Sequence, residues 1–374
     1  MSASTSQNIV IVGAGFGGLT IYNELVTKVD SSKYNLILIN NRSFFTHRPA
    51  GLRLIATAEG KLEDTALIPL KDSRFNTGNR KLVVGEVTSI VDDDTKGHYV
   101  VLNSGEQIDF SILILSPGSN WDGPLAFGNT KAEIVELATT WRTRFEKAND
   151  IVIVGGGSIG LELAGEIKDL DQNKNVTIVH AQPLLLNDSY PERWRRRTAK
   201  DLEARGVNLV LGEYVDEVEV VDGKVSTRSK KSIKADLVVP TRGPSPNTKF
   251  IESLGSEVLN AKGYIKVLPT LQLPQHERIF ALGDAIDWNE QKQAAKIRDH
   301  APAIVNNVLF LLGEKKSLIQ YKGALELIVL TNGKNGGSGY IGILWGIVVG
   351  NWFARMVKSR DLLVERSATG LQLQ

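Results

Sequence analysis

Cysteine is absent from all 374 residues of this chain. That excludes disulfides, thiolate metal sites and a Cys-x-x-Cys redox pair. Any electron transfer then has to run through a bound cofactor rather than a protein sulfur. Histidine is sparse, with five residues scattered and no H-E-x-x-H spacing, so no metal site is expected. Neither sign of charge dominates, and a formal net charge of +2 argues against a nucleic-acid partner. No run reaches the roughly eighteen continuous apolar residues of a spanning helix. Residues 1–7 are short and polar, unlike a secretory signal, and Ser2 stands where an N-myristoylation pattern needs glycine. Hydrophobic content of 42% with 23% charged residues fits a soluble globular protein, long enough for two or three domains.

What is present is a pair of glycine fingerprints. Gly13-Ala14-Gly15-Phe16-Gly17-Gly18 follows the apolar run Ile9-Val10-Ile11-Val12. Gly155-Gly156-Gly157-Ser158-Ile159-Gly160 follows Ile151-Val152-Ile153-Val154. Each reads as a buried strand, a tight turn and a helix. Without side chains the backbone comes close to a pyrophosphate seated at the positive end of the helix. One such motif is weak evidence, because glycine turns are common. Two in the same strand-to-helix context point to two dinucleotides on one chain.

The surroundings repeat as well. Strand, helix and strand over 8–12, 13–28 and 36–39 return over 151–154, 155–170 and 176–179, as an internal duplication would produce. Short strands are expected over 82–87, 98–102 and 112–115. The last runs into Ser116-Pro117-Gly118-Ser119, and Leu237-Val238-Val239 runs likewise into a turn holding Gly243. Residues 278–284 read as a strand delivering Gly283 and Asp284 at its carboxyl end, where open α/β sheets bind ligands. A helix is expected over 291–313, bent or split at Pro302.

Together these segments resemble the two-dinucleotide-fold flavoproteins: pyridine-nucleotide oxidoreductases, type II NADH dehydrogenases and apoptosis-inducing-factor-like proteins, with the ferroptosis-suppressor-like branch nearest. The resemblance is carried by residues 9–18, 113–118, 151–168, 240–247, 279–287 and the distinctive Lys358-Ser359-Arg360-Asp361-Leu362-Leu363-Val364. It implies an α/β fold with two Rossmann-like dinucleotide-binding domains, for FAD and NAD(P)H, plus a small α+β C-terminal domain. Residues 1–122 and 248–315 would form the discontinuous FAD domain, 123–247 the inserted NAD(P)H domain, and 316–374 the acceptor-side domain.

The resemblance also implies roles. Gly13, Gly15, Gly17 and Gly18 would approach the FAD pyrophosphate, with Pro117 and Gly118 in the neighbouring turn. Asn40 stands where an acid usually holds the adenosine ribose, and can bond a hydroxyl without charge assistance. Gly283 and Asp284 would hold the ribitol. Lys292 and Gln293, at the expected helix start, would face the flavin pyrimidine, Lys292 adding charge to the helix dipole. Pro49 and Arg53 would lie near the flavin, and His47 would give a proton to a quinone. Gly155, Gly157, Ser158, Gly160 and Gly243 would hold NAD(P)H, with Glu162 near its nicotinamide. His180 occupies the position that selects NADH or NADPH. It is neither the acid nor the arginine usual there, so the choice stays open. The run Arg193-Trp194-Arg195-Arg196-Arg197 reads either as a reach toward a 2′-phosphate or as the polar face of a helix.

Residues 340–356 are densely apolar and carry Trp345 and Trp352, with Arg355, Lys358 and Arg360 close behind. That pattern suits a peripheral membrane contact, a buried hairpin or a homodimer surface alike. The expected activity is hydride transfer from NADH or NADPH to FAD, then electron delivery to a quinone-type acceptor. A small electron-carrier protein as acceptor, or a slow-turnover redox sensor, are the rival readings. The expected location is cytoplasmic, with attachment to a lipid droplet, the plasma membrane or the mitochondrial surface left open.

Overall fold

The apolar fingerprint strands form the centres of two parallel sheets in this computed structural model, which describes residues 7–374. Apart from Gln7, the polar N-terminus lies outside the described residues. In the first sheet, Gln7–Val12 runs parallel to Tyr34–Asn40 on one side and Ile112–Leu115 on the other. Arg80–Val84 extends one edge, and His276–Ala281 with the antiparallel Gln272–Leu273 extends the other. Ile9, Val10, Ile11, Ile114 and Phe280 are fully buried. Strands covered on both faces need no polar alternation, which is why they read as unbroken apolar runs.

The second sheet repeats the arrangement. Asp150–Val154 lies between the parallel strands Asn175–His180 and Leu237–Pro240, with Val207–Leu211 at the edge. Where the chain passes between the sheets, Ser119–Asn120 pairs antiparallel with Ser245–Pro246. After that crossing Ile251, Ile265 and Ile304 share one core with the first sheet, so its material is discontinuous in sequence. Phe44, Leu54 and Leu67 instead join the core of the second sheet. The chain ends in a three-stranded antiparallel sheet, Leu327–Thr331, Gly337–Ile341 and Ile347–Val349, followed by short helical turns. Leu371 and Leu373 return to the first core.

Several local expectations are corrected. The expected strand over 82–87 is two strands, Arg80–Val84 and Val87–Asp93. The helix expected over 291–313 is a 3-10 turn, Ala294–Lys296, leading into Ile297–Leu311, and it continues through Pro302. Pro302 forfeits one backbone bond, a penalty of about 3 kcal/mol. Burial of Ala301, Ile304, Val305 and Val308 in the first core offsets it.

Arg53 marks the junction of all these parts. The helix Gly51–Ala56 is buried along its whole length, between Lys131–Lys147 and Ser158–Leu170. Its Arg53 guanidinium donates to both carboxylate oxygens of Glu166, at 2.8 and 2.9 Å. It also donates to the carbonyls of Ser359 at 2.8 Å and Arg360 at 3.2 Å. The guanidinium thus forms a clamp joining the glycine helix of the second sheet to the C-terminal segment. Burial raises the carboxyl pKa of Glu166, and the guanidinium opposes that shift. Removing one partner of such a pair strands the other charge in the interior. Arg53→Met is expected to destabilise the protein by about 3–5 kcal/mol. Arg53→Met combined with Glu166→Leu should recover most of that loss, as measured by urea denaturation.

Candidate functional site

The first glycine turn is shaped by close contacts on three of its glycines and by open space on a fourth. Gly13 has φ +98°, and a Cβ there would overlap the carbonyl oxygen of Ser116. A Cβ on Gly17 would overlap the Ser116 hydroxyl, and one on Gly18 would overlap the carbonyl oxygen of Gly13. Gly15 has nothing within 4 Å of that position. It is also the N-cap of the helix Phe16–Val26, with no side-chain cap. The first N–H groups of that helix therefore face an open, electropositive recess.

The second turn repeats this geometry closely. Gly155 has φ +128° and a Cβ would stand 2.5 Å from the Thr241 carbonyl oxygen. A Cβ on Gly160 would overlap the Gly155 carbonyl oxygen, while Gly157 is open. Gly157 caps Ser158–Leu170, again without a side-chain partner. The neighbouring turns match too, for Gly118 at φ +68° and Gly243 at φ +92° both face open space. A cleft of about 230 Å³ lies at this second turn, lined by Trp121, Pro124, Ile159, Thr241, Arg242 and Gly243. Pro117 bears on the same region through its carbonyl, which receives a long bond from Asn247 at 3.5 Å.

Asn40 and His180 occupy equivalent positions. Asn40 Oδ1 accepts from the Ala14 N–H at 2.9 Å, and its amide donates to the Arg42 carbonyl at 2.8 Å. His180 Nδ1 accepts from the Gly156 N–H at 3.1 Å. Its Nε2 then carries the proton and donates to the Leu186 carbonyl at 3.3 Å. Burial lowers the pKa of this imidazole, in keeping with that neutral tautomer. Each residue braces its own glycine turn.

The arginine run beyond His180 is engaged elsewhere. Arg193 donates to the carbonyls of Trp345 and Gly346. Arg195 is buried on the carbonyls of Leu184 and Leu185 and on Asp188. Arg196 pairs with Glu192, and Arg197 lies 3.8 Å from Asp201. Arg242, in the cleft wall, donates to the carbonyls of Val215 and Asp216.

Gly283, at φ +78°, turns the chain so that Asp284 stands at the carboxyl end of the first sheet. Its Oδ2 accepts from the Ser119 hydroxyl at 3.2 Å, and Oδ1 has no protein donor among the described residues. Burial raises this carboxyl, opposed by Ser119, Lys292 and Arg48. Sequence reasoning missed Arg48. It donates to the Leu125 carbonyl at 3.2 Å and lies over the Phe127 ring, 5.5 Å from its centre. Burial lowers it to about 10, the nearby charge of Arg42 adds to this, and Asp284 opposes it. Arg42 is itself held on the carbonyls of Phe127 and Gly128, both at 2.9 Å. Two arginines following Asn40 within a few residues were the available signal.

Lys292 and Gln293 precede the helix instead of opening it. Lys292 Nζ donates to the carbonyls of Ile286 at 2.8 Å and Trp288 at 3.0 Å, and burial lowers its pKa. Gln293 donates to Tyr190 and Glu326, both at 3.0 Å, while its Oε1 is buried without a partner. His47 is buried, and its Nε2 donates to the Leu362 carbonyl at 2.7 Å. That leaves Nδ1 as a bare acceptor with no partner, next to the equally unpartnered hydroxyl of Thr46. Burial lowers the His47 pKa, so the ring is held neutral. Glu162 accepts from Lys358 Nζ at 2.6 Å and the Thr331 N–H at 2.8 Å, facing the C-terminal sheet. Lys358 is a second residue whose part in the site sequence reasoning passed over.

The apolar run over 340–356 divides into a hairpin and a helical turn. Tyr340 packs inward, its ring 6.0 Å from that of Trp194. At the tip, Leu344 and Trp345 both have positive φ and are 77% and 97% exposed. Trp352, just beyond, is 76% exposed. Among the described residues no helix is long and apolar enough to cross a membrane.

Residues 7–303 match the family described as pyridine nucleotide-disulphide oxidoreductase. The chain is 45% identical over 321 residues to the FAD-dependent oxidoreductase FVFD30 of Flammulina velutipes, covering 85% of this chain and 99% of that protein. It is 31% identical over 379 residues to ferroptosis suppressor protein 1 of Xenopus tropicalis, covering 98% and 96%. The sulfide:quinone oxidoreductase of the bacterium Aquifex aeolicus has a similar fold, with a TM-score of 0.78 at 16% identity over 98% of this chain and 92% of that one.

The two kinds of glycine separate stability from binding. A Cβ at Gly157 would meet no protein atom within 4 Å, so the thermal unfolding of Gly157→Val should stay close to that of the parent. Its bulk fills the recess, and NADH binding at the second turn should weaken by about a hundredfold or more, judged by titration. Gly160→Val should fail to fold stably. A Gly157→Val protein that binds NADH like the parent would disprove the location of this site.

Proposed function

The chain belongs to the pyridine nucleotide-disulphide oxidoreductase family, and on that premise we propose that it oxidises NADH and delivers the electrons to a quinone-type acceptor. It is an oxidoreductase that takes FAD and NAD(P)H. When bound, FAD supplies the hydride acceptance and the onward electron delivery that no side chain here provides. The residues present suit both groups. Each glycine turn leaves an uncapped helix end and one open glycine. Among the described residues the buried polar atoms Thr46 Oγ1, His47 Nδ1 and Gln293 Oε1 lack protein partners.

In this reading Gly13, Gly15, Gly17 and Gly18 admit the FAD pyrophosphate, with Arg42 and Arg48 balancing its charge. Asp284 receives ribitol hydroxyls on its unpartnered oxygen, and Asn40 reaches the adenosine ribose with its spare lone pair. Gly155, Gly157, Ser158, Gly160 and Gly243 frame the nicotinamide dinucleotide. His47 offers a lone pair at Nδ1, so it accepts a hydrogen bond from its neighbour in the filled site.

One observation carries the absence of a sulfur relay: there is no cysteine in the sequence. The family name refers to a disulphide, and this chain has nothing from which to make one. NADH is favoured over NADPH because each arginine from 193 to 197 already has a carbonyl or carboxylate partner. A 2′-phosphate would have to compete with those partners. A lipid quinone is favoured because Leu344 and Trp345 are exposed at a hairpin tip held by Arg193, and Trp352 is exposed a few residues on, shortly before Arg355. Tryptophan with basic neighbours settles at the headgroup level of a bilayer.

Steady-state oxidation with quinones of increasing tail length tests this. NADH should exceed NADPH in kcat/KM by about tenfold, the worth of one charge-assisted bond. Replacing Leu344 and Trp345 together by serine should abolish co-sedimentation with anionic vesicles. It should slow long-tailed quinones in those vesicles and leave short-tailed ones in solution unchanged. Flavin-loaded protein that reduces an electron-carrier protein but no quinone would overturn the acceptor assignment.

A further inference from the structure

His300 lies in the first turn of the helix Ile297–Leu311 and is fully buried. Its ring joins two ends of one loop. Nδ1 accepts a hydrogen bond from the Gly283 N–H at 3.2 Å. That fixes the proton on Nε2, which donates to Glu290 Oε1 at 2.7 Å. The other Glu290 oxygen accepts from the Tyr321 hydroxyl at 2.5 Å. The Tyr321 ring meets the imidazole edge-on at 4.5 Å. Burial alone would raise the Glu290 carboxyl, but the bonds from His300 and Tyr321 hold it below the usual carboxylate range. A stable carboxylate at Nε2 in turn keeps the ring in the tautomer that leaves Nδ1 free to accept.

The loop held this way is the one that presents Asp284. Gly283 sits at φ +78° and starts a three-residue 3-10 turn, Gly283–Ala285. Lys292 grips the middle of the same loop through the carbonyls of Ile286 and Trp288. Loss of the acceptor at Nδ1 would leave the Gly283 N–H without its partner and free the end of the loop nearest Asp284.

We propose that Glu290, His300 and Tyr321 form a buried chain of hydrogen bonds that holds the turn at Gly283 and Asp284 in the shape that receives FAD, His300 acting as a positioning residue. The inference rests on the reading of Asp284 as a flavin ligand. His300 does not touch the cofactor. It sets the direction of the Asp284 carboxylate through the backbone of Gly283.

Two substitutions separate the ends of the imidazole. The amide of asparagine reaches only the position of Nδ1, and that of glutamine reaches the position of Nε2. His300→Asn keeps an acceptor for Gly283, whereas His300→Gln keeps a donor for Glu290 and loses that acceptor. FAD dissociation constants, followed by the fluorescence of released flavin, should rise about tenfold or more for His300→Gln. For His300→Asn they should stay within about threefold of the parent. The flavin-free forms of the two variants should unfold at similar temperatures and bind NADH like the parent. If the parent binds FAD tightly and both variants bind it equally, or if His300→Asn is the weaker, the proposal is overturned while the functional reading stands. A parent protein with no affinity for FAD overturns the functional reading itself.

Discussion

A backbone carbonyl pressed against a glycine hydrogen is the contact on which both halves of this molecule depend. Gly18 sits on the carbonyl of Gly13, and Gly160 sits on that of Gly155, at separations that admit no Cβ. The contact locks each helix to the turn before it and so aims the helix end. Once the helix is aimed, the middle glycine, Gly15 or Gly157, faces a recess that no protein atom fills. The strands contribute by holding the turns apart from each other at the carboxyl ends of two separate sheets. Packing strain at one glycine and emptiness at its neighbour are thus two consequences of a single geometry.

The duplication extends below the motif. The residue after the first glycine of each turn is tethered by a side chain from the second strand, Asn40 in one case and His180 in the other. The turn that closes on each fingerprint comes from a third strand, through Ser116 or Thr241. The identities have diverged while the hydrogen-bond pattern has not. An amide and a neutral imidazole each supply one acceptor to the backbone, at 2.9 and 3.1 Å.

Much of this was legible in the chain, and the parts that were not share a cause. Buried parallel strands declare themselves as apolar runs, so 112–115 and 151–154 were read with their observed ends or within one residue of them. No split occurs at Pro302, because the rule against interior proline counts one lost bond and ignores the buried face of the helix. Arg53 was assigned by proximity in sequence and Arg48 was passed over, yet the structure sends the first to Glu166 and sets the second where the Asp284 charge acts on it. Glu162, Lys358 and His47 meet partners between 169 and 315 residues away along the chain. No periodicity encodes such pairings, which depend on how three segments close on one another.

The C-terminal segment shows what that closure accomplishes. Arg53, His47 and Glu162 lie on different elements, and each reaches a residue between Thr331 and Leu362. The segment is therefore held from both dinucleotide units at once, and a shift of one unit against the other would break buried polar bonds. In the proposed reaction, where electrons cross between bound rings without a sulfur intermediary, such rigidity would matter because ring spacing then depends wholly on the scaffold. The hairpin tip is the contrasting element. Leu344 and Trp345 hold left-handed backbone angles that are unfavourable for residues with side chains, and they present apolar surface to water. Neither feature stabilises the isolated fold. Arg193 nevertheless braces the tip through the carbonyls of Trp345 and Gly346, so its shape is fixed before any encounter. A preformed apolar tip beside basic side chains would lose little entropy on meeting a bilayer, and this is the physical ground for the lipid contact proposed above.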